Sequence, residues 1–286
     1  MKILITGANG MVARALAGYC NSIGDEVIAL ERSRLDIAAY NAVAKAIESF
    51  QPKAIINCAA FTDVDRAETD QQAAFAANET GVGNLAEAAA AAKAAFVTIS
   101  TDYVFDGTKD GFYTQRDKPV PLSVYGRSKR AGEIAAFSAN PASIIVRSGW
   151  IFGTGGKNFL SRIPEFFRRG IKFTAISDSF GTPTFADDLA RRLRELAEAN
   201  LPGIYHVTNS GPGTSYFGFA EAVREAMGGT FTPPEPIESA ALERPAPRPL
   251  NSRLACLISE KLGFSPMPDW LDAVSRFIES SKAAEI

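Results

Sequence analysis

The sequence predicts an α/β fold in which a doubly wound parallel sheet is followed by a smaller C-terminal α/β domain. Short β-branched runs alternate with longer Ala-rich segments through the first half of the chain. A glycine turn joins the first predicted strand to the first predicted helix, and the alternation becomes less regular after Trp150. Strands that alternate with helices in this way are typical of βαβ units around a parallel sheet.

The element boundaries follow from this alternation. The predicted strands cover Lys2 to Thr6, Glu26 to Leu30, Ala54 to Cys58, Ala95 to Ser100 and Ser143 to Arg147. The predicted helices cover Gly10 to Asn21, Ala39 to Phe50, Gln71 to Ala92 and Tyr125 to Ser138. We therefore expect residues 1–150 to form one domain, and residues 151–286 to form mainly the second domain with some segments returning to the first. The proline-rich stretch from Pro233 to Pro249 is predicted to be a stiff surface connection, with a loop over a ligand as the alternative.

Composition and charge exclude several classes of function. The 286 residues are 46% hydrophobic and 22% charged, and the formal net charge is −2. Because there is no basic excess, we expect neither nucleic acid nor a membrane surface as a partner. Three scattered cysteines and the lack of a leader-like or 18-residue apolar stretch predict a cytoplasmic protein. The single histidine, His206, excludes a multi-histidine metal site and is interpreted as a structural strand residue.

The segment from Gly7 to Ala13 has G-x-x-G-x-x-A spacing between the first strand and the first helix. Glycines at positions 7 and 10 allow a tight turn and let backbone N–H groups approach a diphosphate, where the helix N-terminus favours negative charge. We therefore predict a Rossmann-type dinucleotide site that includes Gly7, Gly10, Met11 and Val12.

Two residues after the second strand leave the choice of dinucleotide open between NADP(H) and NAD(H). Glu31 lies 24 residues after Gly7, near the spacing at which an acid binds ribose hydroxyls, whereas Arg32 could bind a 2′-phosphate. Further cofactor contacts are predicted in the loops after the second and third strands, at Asp36, Ile37, Ala60, Phe61 and Thr62. Ordinary loop structure is the alternative for these five residues.

Tyr125 and Lys129 stand four residues apart at the start of a predicted helix and share one face of it. An ammonium beside a phenol stabilises the phenolate, so we expect the pKa of Tyr125 to lie below the usual value of about 10. Such a tyrosine can exchange a proton with a carbonyl or hydroxyl oxygen. The hydroxyl of Thr101, at the end of the fourth strand, is predicted to lie near it.

Four longer segments match a known family. They are Ser100 to Gly107 (STDYVFDG), Tyr125 to Glu133 (YGRSKRAGE), Arg147 to Gly153 (RSGWIFG) and Gly181 to Thr184 (GTPT), and Asn251 to Leu254 (NSRL) also fits. With these motifs the chain resembles the extended short-chain dehydrogenases/reductases, and more narrowly the dTDP-4-dehydrorhamnose reductase family, over nearly its whole length.

The resemblance implies catalytic roles for Tyr125, Lys129 and Thr101. Tyr125 would donate the proton, Lys129 would orient the cofactor ribose and tune the tyrosine, and Thr101 would hydrogen-bond the reacting sugar oxygen. The substrate contacts that the family implies are Thr101, Asp102 and Trp150, and residues 1–150 would bind the dinucleotide while the second domain contributes to the substrate site.

Two departures from related proteins are informative. Some relatives bind magnesium at a dimer contact through a glutamate of the first helix, whereas this chain has Ala15 there. A homodimer stays open, but we expect no metal that bridges it and no metal site. Sugar-nucleotide dehydratases carry an Asp-Glu pair after the threonine, whereas here Asp102 is followed by Tyr103, so the base for dehydration is missing.

The function predicted from the residues and the resemblance is NAD(P)H-dependent reduction of the C4 ketone of a nucleotide-linked 6-deoxy sugar. For the family that the chain resembles, the substrate is dTDP-4-dehydro-L-rhamnose and the product is dTDP-L-rhamnose. One alternative is a non-catalytic, dinucleotide-binding regulatory subunit of methionine adenosyltransferase, which has the same fold. The other is a reductase or epimerase of a different nucleotide sugar.

Overall fold

The helices and strands are described by a computed structural model for residues 1–283. The strands are β1 (Lys2–Thr6), β2 (Glu26–Leu30), β3 (Ala54–Asn57), β4 (Ala95–Thr101), β5 (Ile144–Ser148), β6 (Ile151–Phe152), β7 (Thr174–Ile176), β8 (Phe180–Gly181), β9 (Thr184–Phe185), β10 (Gly203–His206), β11 (Thr214–Ser215) and β12 (Glu235–Ile237). The α-helices are α1 (Met11–Ser22), α2 (Tyr40–Phe50), α3 (Val64–Thr69), α4 (Gln71–Phe75), α5 (Gly81–Ala91), α6 (Val124–Ala139), α7 (Phe159–Arg168), α8 (Ala186–Ala199), α9 (Tyr216–Ala226) and α10 (Trp270–Ala283). A π-helical turn, Ala76–Thr80, connects α4 to α5.

Six parallel strands form the central sheet, in the order β10-β5-β4-β3-β1-β2. Both faces of the sheet are covered, which is why the strands are apolar runs rather than alternating ones. On one face the strands pack against α1 and α8 through residues such as Leu16 and Leu193. On the other face they pack against α2, α5 and α6, for example through Val43 and Leu85.

A second hydrophobic core lies among α7, α9 and α10 and is dominated by aromatic rings. Phe152 of β6 is fully buried there and contacts the rings of Phe185, Phe219 and Phe277 at centroid distances of 5.0 to 5.5 Å. Aromatic pairs at these separations stabilise a core beyond their buried area alone. This core supports the segments that meet the carboxyl edge of the sheet.

The predicted fold class is confirmed, and the five predicted strands are present with boundaries shifted by at most one residue. The predicted helix from Gln71 to Ala92 is instead two α-helices with a π-helical turn between them, and α3 was not predicted. His206 lies in β10, which joins the sheet beside β5 although it comes from the second half of the chain. The division near residue 150 stays a prediction.

Within residues 1–283, no helix combines the length and apolar character that crossing a bilayer requires.

A buried ion pair joins α8 to the loop before β2. Arg194 Nε lies 2.5 Å from Asp25 Oδ2, and the Met1 ammonium lies 2.5 Å from Asp25 Oδ1. Although burial opposes ionisation, hydrogen bonds from Arg194 and the Met1 ammonium lower the pKa of Asp25 below its ordinary 3.8. A carboxylate with a lowered pKa stabilises the fold above its unfolded-state pKa, and this contribution is lost as pH falls through the folded-state pKa.

Arg194→Met should therefore lower the free energy of unfolding by about 3 kcal/mol at pH 7, because it leaves a buried carboxylate short of its partner. The difference from the native chain should shrink at a pH well below 3.8, because the contribution of Asp25 is lost as pH falls through its lowered pKa. Urea unfolding at the two pH values measures both effects. Arg191→Met, on the exposed side of α8, is the control and should cost less than about 1 kcal/mol. An equal loss of unfolding free energy at both pH values would show that the ion pair between Arg194 and Asp25 is not its cause.

Candidate active site

A cleft of about 490 Å³ opens at the carboxyl edge of the central sheet. Residues that follow β1, β3, β4 and β5 form one wall, and the loop after β6 and the start of α9 form the other. In open parallel sheets this edge is the usual place for ligands. Of the residues predicted for the site, the cleft brings together Gly10, Met11, Val12, Ala60, Thr62, Thr101, Asp102, Tyr125, Lys129 and Trp150.

The glycine turn after β1 fits an anionic group. Gly7 has φ +70°, and a Cβ atom there would lie only 2.7 Å from the backbone nitrogen of Ala59, so no other residue fits without movement. Gly10 is the N-cap of α1, and no side chain caps this helix end and no acid lies in its first turn. The first N–H groups of α1 therefore lack side-chain partners where the helix favours negative charge. A dinucleotide diphosphate fits these residues.

The loop after β3 is fixed by the side chain of Asn78, in the π-helical turn. Asn78 is fully buried; its Oδ1 accepts from the backbone N–H of Phe61 at 2.9 Å, and its Nδ2 donates to the carbonyl of Phe61 at 3.0 Å and to Ser128 Oγ at 2.9 Å. One amide thus ties the predicted cofactor loop to α6. Gly132 of α6 packs so closely that a Cβ atom there would lie 1.9 Å from the Asn78 carbonyl oxygen. Sequence reasoning missed Asn78, because an isolated asparagine in an Ala-rich helix gives no signal.

Tyr125 and Lys129 project from α6 into the cleft, and Ser123 caps the helix by accepting from the backbone N–H of Gly126. Lys129 is 5% exposed and donates from Nζ to the carbonyl oxygen of Ile99 in β4, at 2.6 Å. Burial lowers the pKa of Lys129 to about 8, although the negative charge of Glu133 opposes this shift. The lysine is therefore a cation that can lose its proton near neutral pH.

The expected lowering of the Tyr125 pKa is wrong in this structure. Burial raises the pKa of the Tyr125 phenol to about 12; a hydrogen bond from Thr101 opposes the rise, and the carboxylate of Asp102 adds to it. The ammonium of Lys129 is directed at the carbonyl of Ile99 rather than at the phenol. Desolvation of the phenolate thus dominates, and Tyr125 is protonated at neutral pH.

Asp102, directly after β4, is a buried carboxyl with one free oxygen. Its Oδ1 accepts from the Thr101 hydroxyl at 3.0 Å, whereas Oδ2 has no hydrogen-bond partner among the described residues. Burial raises the pKa of Asp102 to about 6, and the nearby hydroxyls of Ser252 and Thr101 reduce this effect. A Cβ atom at Gly149 would lie 2.3 Å from Asp102 Cγ, so the glycine of the RSGW motif makes room for the carboxyl group. The free oxygen can accept a hydrogen bond from a ligand hydroxyl.

Trp150 is held in the cleft in a left-handed backbone conformation, with φ +51°. The hydroxyl and backbone N–H of Thr184 donate to the carbonyl oxygens of Gly149 and Trp150, at 2.8 and 3.1 Å, which fixes this strained turn. The indole stacks on the ring of Tyr216 with 3.8 Å between centroids. A Cβ atom at Gly181 would lie 2.1 Å from the indole, so the GTPT motif both accommodates and anchors Trp150.

The remaining predicted cofactor residues do not line this cleft; they are Gly7, Glu31, Arg32, Asp36, Ile37 and Phe61. Glu31 already accepts hydrogen bonds from Asn9 and Ser33. Arg32 is exposed and has no hydrogen bond or ion pair with any residue in the described range 1–283. Ile37 is 4% exposed beneath α5, and Asp36 caps its own turn by accepting from the backbone N–H of Ala38.

Sequence reasoning also missed the aromatic wall of the cleft. Tyr216 begins α9, and its ring covers Trp150, while Tyr103 lies edge-on to Tyr125 with 6.1 Å between ring centroids. Burial raises the pKa of Tyr216 to about 12 and that of Tyr103 well above its ordinary 10. Both phenols are therefore neutral, and the cleft combines one buried acid with apolar walls. Only the Tyr103 in the STDYVF motif gave any sequence signal.

Comparisons with known proteins place the chain in one family. The family model described as "RmlD substrate binding domain" matches residues 1–283. The chain is 37% identical to a dTDP-4-dehydrorhamnose reductase of Sinorhizobium fredii over 97% of both chains, and 38% identical to that of Mycolicibacterium smegmatis over 96% of this chain and 84% of the relative. It superposes on the crystal structure of a dTDP-4-dehydrorhamnose reductase from Bacillus anthracis in complex with NADP with a TM-score of 0.93, at 32% identity, over 98% of this chain and 100% of the other. The predicted resemblance is confirmed.

Gly10→Val should weaken dinucleotide binding at least about tenfold, or roughly 1.4 kcal/mol. A Cβ atom at this position meets only the carbonyl oxygen of Gly7, at 3.1 Å, so the variant should fold while its branched side chain blocks the approach to α1. Titration calorimetry with NADPH measures the affinity. Gly18→Val puts the same side chain in the same helix, where nothing lies within 4 Å of the Cβ atom, and should bind normally. Unchanged binding by a folded Gly10→Val variant would refute the assignment.

Proposed function

We propose, since the chain belongs to the RmlD substrate binding domain family, that it reduces the C4 ketone of dTDP-4-dehydro-L-rhamnose to give dTDP-L-rhamnose, with NADPH or NADH as reductant. The observation that supports this most directly is the placement of a protonated tyrosine beside a threonine hydroxyl and a lysine in one cleft with the glycine turn. A ketone reduction needs a proton donor at the oxygen and a dinucleotide site at the carbon.

The dinucleotide, when bound, supplies the hydride that adds to the carbonyl carbon. We assign its diphosphate to the backbone N–H groups that follow Gly10, on the uncapped end of α1. The side chains of the chain then have to orient the sugar and supply one proton to the ketone oxygen. Water is kept from the reacting carbon by the apolar wall that Trp150 and Tyr216 form.

Tyr125 is proposed to donate that proton from its phenol oxygen, while the hydroxyl of Thr101 turns from Asp102 Oδ1 and donates a hydrogen bond to the same ketone oxygen. The phenol is in its acid form at neutral pH, as a proton donor must be. After the transfer, the ammonium of Lys129 can turn from the carbonyl of Ile99 and return a proton to the phenolate, because its pKa of about 8 is lower than that of the tyrosine. Asp102 Oδ2 is proposed to accept a hydrogen bond from a sugar hydroxyl.

The same residues argue against elimination of water as the reaction. Dehydration needs a base next to the acid, and the residue after Asp102 is Tyr103, a buried phenol whose raised pKa keeps it neutral. The structure neighbours that are epimerases, such as the UDP-glucose 4-epimerase of Thermus thermophilus at 21% identity, share the fold alone.

The proposal extends to location and assembly. Cys20, Cys58 and Cys256 are free thiols, which supports a reducing compartment such as the cytoplasm. A homodimer without a bridging metal fits Ala15, which offers no carboxylate at the position where some relatives bind magnesium.

A panel of nucleotide-linked sugars should show which substrate the cleft accepts. We expect oxidation of NADPH or NADH with dTDP-4-dehydro-L-rhamnose and a 4-hydroxy product that retains its nucleotide. NMR and mass spectrometry of the product decide the reaction. Loss of water would indicate a dehydratase, and inversion without net reduction an epimerase. Tight dinucleotide binding with no turnover across the panel would favour a regulatory subunit instead.

Tyr125→Phe should lower kcat by about 100-fold or more while leaving NADPH affinity within about twofold. The ring and its packing against Tyr103 are kept, and only the transferable proton is removed. Steady-state kinetics and calorimetry on the same preparation measure the two quantities. Near-normal turnover would exclude Tyr125 as the proton donor.

Arg32→Ala should weaken NADPH more than NADH, by about tenfold in relative affinity, because an exposed guanidinium without partners in the described structure can pair with the 2′-phosphate. Lys53→Ala removes a positive charge at the opposite edge of the sheet, before β3, and serves as the control for net charge. Equal weakening of both dinucleotides would show that Arg32 does not bind the phosphate.

A further inference from the structure

One face of α6 contacts three successive residues at the end of β4. The three side chains on that face, each four residues from the next, are Tyr125, Lys129 and Glu133. Lys129 Nζ donates to the carbonyl oxygen of Ile99 at 2.6 Å, and Ser100 Oγ donates to Glu133 Oε1 at 2.6 Å. Tyr125 interacts with the hydroxyl of Thr101. Two hydrogen bonds therefore tie the helix to consecutive residues of the strand end, Ile99 and Ser100, and of the three helix residues only Glu133 lies outside the cleft lining.

Glu133 is itself held by an ion pair with Arg147 of β5. Arg147 Nε lies 2.8 Å from Oε1 and Nη2 lies 2.7 Å from Oε2, and the two side chains are 2% and 1% exposed. Arg147 is paired in register with Ser100 on one side and with His206 on the other. Although burial opposes ionisation, Arg147 keeps the pKa of Glu133 below its ordinary 4.5. The carboxylate is thus an immobile, charged anchor.

We propose that Glu133 is a positioning residue for the proposed reduction: held by Arg147, it fixes α6 against Ser100 and so sets where Tyr125 and Lys129 stand relative to Thr101. Proton transfer needs heavy atoms within about 2.6 to 3.2 Å, and a displacement of about 1 Å can cost about 100-fold in rate. The hydrogen bond between Ser100 and Glu133 is the contact through which the immobile carboxylate fixes α6 relative to β4. Its loss should therefore lower turnover without removing any group that touches the substrate.

Two double variants separate this role from stability. Glu133→Met/Arg147→Met removes the buried charge pair together, a change that buried ion pairs often tolerate, and leaves only the partly exposed guanidinium of Arg130 without its carboxylate partner. Glu133→Gln/Arg147→Met also removes both charges, but it keeps an oxygen that can accept from Ser100. The two variants therefore have the same net charge but differ in the acceptor that position 133 offers to Ser100 and to Arg130, so a change at Ser100 itself is needed to isolate that bond. Ser100→Ala, which keeps the ion pair and removes only the donor, is a third variant in case the double variants fold poorly.

In kinetics with the 4-keto sugar nucleotide, Glu133→Met/Arg147→Met and Ser100→Ala should each show a kcat at least about tenfold below that of Glu133→Gln/Arg147→Met. Their KM values for the sugar nucleotide should agree within about threefold, because Glu133 and Arg147 lie outside the cleft lining and the hydroxyl of Ser100 is turned to Glu133. Equal kcat values in the folded variants would overturn the proposal. The inference rests on the proposed function for this readout only.

A second readout needs no substrate. The titration of Lys129, followed by NMR with ¹³C-labelled lysine and assigned by its absence in Lys129→Met, reports how closely the ammonium is held against β4. Both double variants lack the carboxylate of Glu133 and keep the thiol of Cys58. The charges of these two groups therefore do not cause a difference in the pKa of Lys129 between the two variants. The pKa of Lys129 should be higher in Glu133→Met/Arg147→Met than in Glu133→Gln/Arg147→Met, because an ammonium that is held less closely against β4 is less desolvated. Identical titrations would overturn the positioning role, whereas an inactive native chain with distinct titrations would count against the proposed function alone.

Discussion

The carboxyl ends of β1, β3, β4 and β5 share one edge because these strands are parallel and in register, and the whole cleft depends on that alignment. The register puts the glycine turn after β1, the Asn78-bound loop after β3 and Thr101 at the end of β4 on the same side. It also aligns Ser100 with Arg147, so a charge on β5 can hold a helix that contacts β4. A shift of one strand would separate groups that are adjacent only through this pairing.

The second constraint is space, and it is met by glycine at three points of close approach. At Gly132, Gly149 and Gly181 a Cβ atom would lie 1.9, 2.3 and 2.1 Å from the Asn78 carbonyl, Asp102 and Trp150, respectively. Each of these contacts fixes a group that faces or supports the cleft. A protein interior is packed so densely that a single added methyl group at such a point displaces the functional group rather than filling a gap. The motifs around these glycines are therefore structural supports as much as binding residues.

The fold could be predicted from the sequence because its strands and helices differ sharply in composition, and because Gly7 and Gly10 mark the turn between β1 and α1. Tyr125 and Lys129 could be identified because both lie on one helix at a spacing of four. The π-helical turn at Asn78 could not be predicted, since helix propensity does not show where a buried side chain displaces the helix backbone. The pKa of Tyr125 was predicted in the wrong direction because burial depends on tertiary packing, which brings Asp102 close and directs Lys129 to Ile99. The role of Glu133 could not be predicted either, because its partners Ser100 and Arg147 lie on two different strands, β4 and β5, and meet it only in the folded chain.

The chain has two tryptophans, and they occupy different environments. Trp150 lies in the cleft with its indole stacked on Tyr216, whereas Trp270 is buried in the aromatic core at the start of α10, beside Phe219. Fluorescence from the first depends on what occupies the cleft, and fluorescence from the second depends on the integrity of the second core. The protein thus contains an intrinsic optical probe of ligand binding and, in the same chain, an internal reference for folding.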